Sequence, residues 1–299
     1  MESFWSIGKK YYRVNSIRGL HRFLVFVVRA NLHRKKMRCL GAFFQKNALR
    51  REIAAAYPYV YEQPTRAFFY KGSTFDERVT LLIEHMSYLE EKLRPKVLQQ
   101  IYHFNPIILL ETEQDGSLLR LILHFHVGQR KEGLLALTLL WGAVALYQMI
   151  FWIAKDKTGA WALWIGAMQG PNIADSRGVI KKLTKACHGC RTKNLILHVT
   201  QEVARALGVE HIYAVTNDGY YAMNHVRKDR KLKTNFGDFW KESGGVQCAD
   251  ARFYELPLKE HRRSMEEVPT RKRAVYRRRY AMFDEIDTVI AQKMKESMN

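Results

Sequence analysis

The feature that most constrains the fold of this sequence is an uncharged, strongly apolar run over residues 134–154. Basic residues flank the run on both sides: Arg130, Lys131, Lys155 and Lys157. A membrane-spanning helix needs about 20 predominantly apolar residues, so the run is long enough to cross a bilayer. Alternatively, the same residues form two buried strands of a sheet. The choice between these two structures decides whether the chain is a membrane-spanning protein.

Local sequence and neighbouring segments favour the two strands. Gly142 and Ala143 divide the run into two halves of strand length, and the second half is rich in aromatic and β-branched residues, which prefer strands. Gln148 is also costly in a lipid environment. Further strands are predicted over residues 106–111, 118–127 and 161–168, with turns at residues 115–116 and 157–159. The sequence therefore predicts an antiparallel meander, with a membrane span as the alternative.

After the meander, the sequence predicts two helices, followed by a segment that mixes strands, a loop and a short helix. The strand over residues 161–168 stops at Gln169, Gly170, Pro171 and Asn172, because glycine frees the backbone and proline cannot pair in a ladder. Asp175 and Ser176 are good N-cap residues for a first helix. A second helix begins after Thr192 and ends at Gly208. Later elements are predicted as a strand over residues 209–215, a polar loop, a short helix at residues 240–245 and a strand at residues 252–256.

Five segments of this sequence together resemble the VirK/YbjX family: residues 166–171, 185–195, 206–217, 224–226 and 271–280. They occur in the order that the family has, and the resemblance extends from about Arg18 to Asp284. It implies a protein of Gram-negative enterobacteria or their relatives. It also implies an association with envelope defence, virulence and resistance to antimicrobial peptides.

The order of elements is also similar to the Gcn5-related N-acetyltransferase fold, known as GNAT. This similarity implies an acyltransferase in which the turn of Gln169, Gly170, Pro171 and Asn172 holds an acyl-coenzyme A. Lys193 is a candidate to bind the phosphates of this donor, and the alternative is that it is a solvated surface charge. The chain departs from that fold's glycine signature, because only one glycine follows Gln169. It also has an additional helix before Thr192.

The resulting fold class is α/β (α+β), a GNAT-like mixed sheet with an antiparallel meander. We expect a basic helical N-terminal region over residues 1–100, the α/β core over residues 101–260 and a basic helical tail over residues 261–299. No nucleophile elbow, P-loop, dinucleotide fingerprint or zinc-protease motif is present, so hydrolase, kinase and dehydrogenase functions have no support in the sequence.

The polar loop after the strand over residues 209–215 carries the catalytic candidates. His225 is the first choice for a general acid or base, since imidazole titrates near neutral pH, and Asn217 and Asn224 accompany it. The alternative is a histidine that only positions the loop. We expect no metal: Cys187 and Cys190 have the spacing of one half of a zinc site, but no second ligand pair follows, and His124 and His126 have no third ligand nearby.

Charge points to an anionic partner. The net charge is +20, and residues 1–51 contain 13 Lys and Arg against a single Glu. Within this region, apolar residues alternate with arginines at helical spacing: Leu20, Phe23, Leu24, Val27, Val28 and Ala30 with Arg18, Arg22 and Arg29. Such a helix suits an anionic membrane surface, or packs on the protein's own core. A non-catalytic adaptor that uses its basic helices on a membrane is therefore the alternative to an acyltransferase. The second alternative is a stress-response protein that binds nucleic acid, since the basic block 271–279 also carries aromatic residues. Four cysteines and the lack of a leader favour a cytoplasmic protein, peripheral to the inner membrane.

Overall fold

The computed structural model describes residues 3–12, 14–114, 116–224 and 235–299. The helices are α1 (Phe4–Tyr11), α2 (Ile17–Leu32), α3 (Arg34–Gln45), α4 (Ala48–Ala56), α5 (Phe75–Lys92), α6 (Pro95–Tyr102), α7 (Ser176–Ala186), α8 (Thr192–Leu207), α9 (Phe236–Glu242) and α10 (Thr270–Ser297). Short 3-10 helices span Pro58–Tyr61, Gln63–Thr65, Val127–Gln129 and Tyr221–Asn224. The strands are β1 (Ile107–Gln114), β2 (Ser117–His124), β3 (Leu135–Trp141), β4 (Val144–Lys155), β5 (Trp161–Gln169), β6 (His211–Val215), β7 (Val246–Gln247) and β8 (Phe253–Leu256).

One mixed sheet contains all of these strands, in the order β1-β2-β3-β4-β5-β6-β8-β7. The first five strands form an antiparallel meander, β5 and β6 pair in parallel, and β8 pairs antiparallel with both β6 and β7. The prediction of an α/β fold with an antiparallel meander is therefore confirmed. The domain boundaries expected near residues 100 and 260 stay predictions.

The long apolar run forms a hairpin. Residues 135–141 and 144–155 are β3 and β4, and Gly142 makes the turn between them with a φ of +57°, which only glycine adopts without strain. Both strands are interior to the sheet, so their backbone groups pair with a neighbour on each side. Within the described residues, we find no helix that is both long and apolar enough to cross a membrane.

Helices α5 and α8 pack on β4, and α10 packs on α8. Helix α8 is buried along most of its length and ends at Gly208 in the left-handed conformation, as the sequence predicts. Asp175 caps α7 by accepting a hydrogen bond from the Gly178 N–H, at 3.1 Å. Between α5 and β4, the buried His85 accepts the Ile153 N–H at 3.0 Å, and its other ring nitrogen lies 2.9 Å from the Tyr102 hydroxyl.

The amphipathic helix predicted in the basic N-terminal region is present as α2, but its apolar residues divide between two surfaces. Phe23, Phe26 and Ala30 are buried against the protein's own core, as the packing alternative expects. Leu20, Leu24 and Val28 are exposed on the other side of the helix. The inner residues therefore attach α2, and the outer ones are left uncovered.

Candidate functional site

A buried carboxyl group lies where three distant parts of the chain meet. Glu132 is in the turn between the 3-10 helix Val127–Gln129 and β3, Gln169 is the last residue of β5, and Tyr220 precedes the 3-10 helix Tyr221–Asn224. The Tyr220 hydroxyl donates a hydrogen bond to one Glu132 carboxyl oxygen, and Gln169 Nε2 donates to the other at 2.6 Å. We call these three residues the carboxyl cluster.

Burial changes the acid strength of two members of this cluster. Glu132 is 5% exposed, and burial raises the pKa of its carboxyl, although the hydrogen bonds from Tyr220 and Gln169 partly oppose the shift. Burial also raises the pKa of the Tyr220 hydroxyl, and the adjacent Glu132 raises it further. A carboxyl group whose pKa is raised from its ordinary value toward neutrality can exchange protons during a reaction.

Two glycines allow the Glu132 segment to lie directly on the sheet. A Cβ atom at Gly166 on β5 would lie only 1.9 Å from the Glu132 carbonyl oxygen, and one at Gly133 would lie 2.6 Å from the Phe151 carbonyl oxygen. Gly166 lies where the register between β4 and β5 shifts. The close approach of the two backbones therefore requires glycine at both positions, and it fixes Glu132 relative to β5.

A connecting segment of the N-terminal half holds the other side of the cluster. The Phe69 N–H donates to the Lys131 carbonyl at 2.7 Å, and the Lys71 N–H donates to the Gly219 carbonyl at 2.8 Å. Tyr70, between them, pairs with Tyr220 in an isolated β-bridge. This one segment therefore positions the residues beside both Glu132 and Tyr220, so that the helical N-terminal half contributes to the site.

A groove with a volume of about 410 Å³ adjoins the carboxyl cluster. Its lining is polar: His124, His126, Gly128, Gln129, Gln148 and Gln169. Gln129 Nε2 donates to Gln148 Oε1 at 2.8 Å, and His124 Nε2 lies 2.7 Å from the Thr138 hydroxyl. Burial, together with His126, lowers the pKa of His124 to about 4, so this imidazole is neutral at pH 7. Gln169 belongs to both the groove and the cluster.

The two parallel strands separate next to this site. Residues 162–165 of β5 pair with residues 211–214 of β6, and β5 then continues to Gln169 beyond its last partner on β6. On the β6 side the strand ends at Val215, and the Thr216 N–H still donates to the carbonyl of Arg252, just before β8, at 2.8 Å. Ligands of α/β sheets commonly bind outside the carboxyl ends of such strands.

Four of the residues predicted for donor binding are consecutive at the end of β5 and in the loop after it, whereas Lys193 contacts α9. Gln169 is in the carboxyl cluster, and the neighbouring Gly170 lies against the Tyr147 ring. Pro171 is half-buried and Asn172 is exposed in the loop before α7. Lys193 instead lies against α9: its Nζ is 3.4 Å from Glu242 Oε2 and 4.5 Å from the centre of the Phe239 ring.

The predicted catalytic residues have different positions. The side-chain oxygen of Asn217 accepts the Phe236 N–H at 2.6 Å at the start of α9, which gives Asn217 a clear role in fixing that helix. Asn224 is the last residue of the 3-10 helix that follows Tyr220. His225 lies outside the described residues, so its role stays a prediction.

The cysteine pair is part of the packed interior. Cys187 and Cys190 are both buried, and burial raises the pKa of their thiols to about 11 and about 12, which keeps both protonated at neutral pH. His188 and Gly189 turn between them with positive φ angles. The His188 carbonyl accepts two hydrogen bonds from Arg279 of α10, at 3.1 and 3.0 Å. These contacts give the segment a structural role.

Sequence reasoning did not find Glu132 or Tyr220. Glu132 follows Gln129, Arg130 and Lys131 in what reads as a charged turn, and Tyr220 lies in a polar loop. Gly133, directly after Glu132, is the available signal, because a glycine next to a strand indicates a close backbone approach. Of the groove residues, the sequence analysis considered His124 and His126 as metal ligands and Gln169 as a donor-binding residue. The strand predicted over residues 118–127 is shorter in the structure, because β2 ends at His124.

Comparisons with known proteins place the chain in a family. A family model described as "Protein of unknown function (DUF535)" matches residues 15–292. The "Uncharacterized protein YbjX" of Escherichia coli (strain K12) is 34% identical over 50% of this chain and 45% of its own length. An "Uncharacterized protein" of Haemophilus influenzae is 31% identical over 49% of this chain and 48% of its own length. In both matches, the chain spans about half the length of the relative.

A third relative, the "Membrane protein LapB" of Mannheimia haemolytica, is 25% identical over 70% of this chain and 85% of its own length. No solved structure matches the chain significantly. Because the family model covers almost the whole sequence and YbjX is among the relatives, the chain belongs to the DUF535 family, which is the VirK/YbjX family.

Proposed function

We propose that this protein is an acyltransferase that takes its acyl group from an acyl-coenzyme A and serves the defence of the bacterial envelope. The observation that carries the proposal is the carboxyl cluster: a buried Glu132 with a raised pKa, hydrogen-bonded to Tyr220 and to the last residue of β5. Acyl transfer from a thioester needs one proton removed from the acceptor and one delivered to the leaving thiolate. The cluster has a group for each task.

The strand arrangement supports this chemistry. The GNAT resemblance implies that the strand before the donor turn separates from its parallel neighbour, and here β5 extends beyond its pairing with β6. Glu132 and Tyr220 contact each other beside the extended end of β5. We propose that an acyl-coenzyme A binds at this end of β5, with its thioester near Glu132 and Tyr220.

In the proposed reaction, an amine or hydroxyl of the acceptor attacks the thioester carbonyl carbon, and the Glu132 carboxylate takes the acceptor's proton. The bond between the carbonyl carbon and sulfur then breaks, and the thiolate takes the proton of the Tyr220 hydroxyl. Tyr220 recovers a proton from Glu132, to which it is hydrogen-bonded. Protonation of Glu132 also removes the negative charge that helps to raise the pKa of Tyr220, so the hydroxyl becomes a better acid at that moment.

Donor binding is proposed at the turn of Gln169, Gly170, Pro171 and Asn172. At the start of α7, the Gly178 N–H already donates to the Asp175 side chain. The donor phosphates would therefore bind to backbone N–H groups of the turn rather than to those at the start of α7. Lys193 contributes to donor binding only by leaving its ion pair with Glu242. His225 is the alternative general base, and Asn217 and Asn224 lie on the chain segment that leads to it.

The donor site is tested by thermal shift with acetyl-coenzyme A and with long-chain acyl-coenzyme A. A ligand at about 100 times its Kd stabilises the folded protein by about 2.7 kcal/mol, so binding raises the melting temperature. Gly170→Trp should abolish the shift, because the new ring would fill the turn beside Tyr147. Ala281→Trp, at an exposed position on α10, is the matched control. No shift with any donor, or a full shift in Gly170→Trp, contradicts the proposed donor site.

A further inference from the structure

The outer side of α2 carries an exposed apolar stripe. Five residues form it, each at least 43% exposed: Ile17, Leu20, Leu24, Val28 and Leu32. Because an α-helix turns by about 100° per residue, these positions lie along one line of the helix surface. The stripe is separate from the inner face of α2, where Phe23, Phe26 and Ala30 attach the helix to the core. A folded α2 therefore still presents a second apolar surface.

Basic side chains border this stripe. Arg18, Arg22 and Arg29 repeat along one edge of α2, and all three residues are exposed. Arg29 donates a hydrogen bond to the Thr65 carbonyl at 2.7 Å. Because a carbonyl is uncharged, this contact does not neutralise the positive charge of Arg29. Residues 1–51 contain 13 Lys and Arg against a single acidic residue, Glu2. Acidic residues from α5 pair with two of these basic residues, Lys36 and Arg50.

A groove of about 670 Å³ lies between the start of α1, the end of α2 and helix α3. Its lining includes Arg34 and Arg38, one helical turn apart, together with Asn31 and Gln45. None of the described residues that line it is acidic. Paired guanidinium groups suit phosphate oxygens, because their planar N–H forks donate two hydrogen bonds at once. Leu32, at the end of the stripe, is the neighbour of Asn31.

Trp5 adds an aromatic residue beside α2. Its side chain is 50% exposed, and its ring packs edge-on against Phe23 with the ring centres 4.7 Å apart. Lys9 Nζ lies 5.8 Å from the centre of the Trp5 ring. Tryptophan and lysine are typical of the membrane–water interface, where an apolar body and a polar end contact different surroundings.

We propose that the outer face of α2, with Trp5 and the groove of Arg34 and Arg38, docks the protein on an anionic phospholipid bilayer. Charge complementarity selects this partner: the stripe inserts between acyl chains, the bordering arginines contact acidic headgroups, and the groove takes a headgroup phosphate. The proposal concerns where the protein binds and is independent of the acyltransferase chemistry. It gives α2 two roles, one on each face.

The test is flotation of the full chain with vesicles of phosphatidylcholine, alone or mixed with phosphatidylglycerol. We expect binding only to the mixed vesicles and release at high salt, since exposed charges are screened. Val28→Glu should lower the bound fraction about tenfold, because a charge would enter the apolar layer. Val246→Glu is the matched control, since Val246 on β7 is also exposed, at 71%. Melting temperatures of both variants confirm that they fold.

A second pair of variants tests the groove. Arg34→Ala with Arg38→Ala should weaken binding more than Arg277→Ala with Arg278→Ala, which removes the same charge from exposed positions on α10. Equal binding to both kinds of vesicle, or normal binding of Val28→Glu, overturns the proposal. So does a dimer in solution that Val28→Glu dissociates, because the stripe would then join two copies of the chain.

Discussion

At the scale of single residues, Glu132 is the most unusual group, because burial raises the pKa of its carboxyl. Its carboxyl is buried beside Tyr220 and Gln169, and the glycine at position 166 lets the Glu132 backbone lie directly against β5. A carboxyl with a raised pKa costs stability in its charged form. Natural proteins keep such a group mainly where it has a function, and we assign that function to proton transfer.

The raised pKa of Glu132 should make the free energy of unfolding depend on pH. A carboxyl whose folded pKa is raised stabilises the fold below its unfolded pKa, and that contribution is lost as the pH rises through the folded value. Glu132→Gln removes the titration and keeps the shape. Urea unfolding at a series of pH values should show the wild type losing stability relative to Glu132→Gln as the pH rises above about 4. A constant difference between the two proteins would show that Glu132 titrates normally.

His225 remains the sequence-based alternative at this scale. His225→Ala is expected to change the free energy of unfolding by no more than about 0.5 kcal/mol, as surface substitutions usually do, so the melting temperature should stay nearly the same. The variant should nevertheless fail to complement a peptide-sensitive deletion strain. If His225→Ala fails to complement while Glu132→Gln complements fully, the general base is His225 and the proposed role of Glu132 is wrong.

At the scale of elements, α8 and α10 are joined by a pair between the buried His198 and the half-buried Asp287. His198 on α8 lies 2.7 Å from an Asp287 carboxyl oxygen on α10 and 3.6 Å from Glu260, and its ring stacks on Phe283. Burial opposes the charge of His198, but the two carboxylates outweigh it and raise its pKa to about 9. Asp287 in turn contacts Arg205 and Arg262.

This pair predicts a second pH dependence. The folded pKa of His198 is about 9 against about 6.5 unfolded, so its contribution is fully present below pH 6.5 and is lost as the pH rises through 9. A shift of this size corresponds to about 3 kcal/mol. His198→Phe should remove that loss between pH 6.5 and 9, as measured by the free energy of unfolding. His211→Phe, at a half-exposed position on β6, is the control. An unchanged pH profile in His198→Phe contradicts the assignment.

The elements themselves were largely predictable from the sequence. Gly142 and Gly208 marked a turn and a helix end, and the alternation of turns with apolar segments gave the meander. The carboxyl cluster was not predictable, because Glu132, Gln169 and Tyr220 are far apart in the sequence and meet only through strand order and the Tyr70 segment. The sequence analysis placed the exposed residues of α2 and buried ones such as Phe23 on one apolar face. Helical spacing alone does not tell which of these residues pack against the core.

At the scale of the whole molecule, the charge of +20 is concentrated at the N-terminal helices and on helices such as α10. The carboxyl cluster lies on the sheet, and the proposed bilayer surface lies on α2, so donor binding and membrane docking use different residues. A loss of one should leave the other intact. This separation allows the two proposals to succeed or fail independently.

The central claim, that the carboxyl cluster transfers protons during acyl transfer, is tested most directly by the release of coenzyme A. Wild type and variants are incubated with an acyl-coenzyme A and an envelope extract as acceptor, and the free thiol is measured. Glu132→Gln and Tyr220→Phe should each lower the rate about 100-fold or more, with unchanged thermal shift by the donor. Thiol release by Glu132→Gln at the wild-type rate, or none from the wild type, would contradict the account.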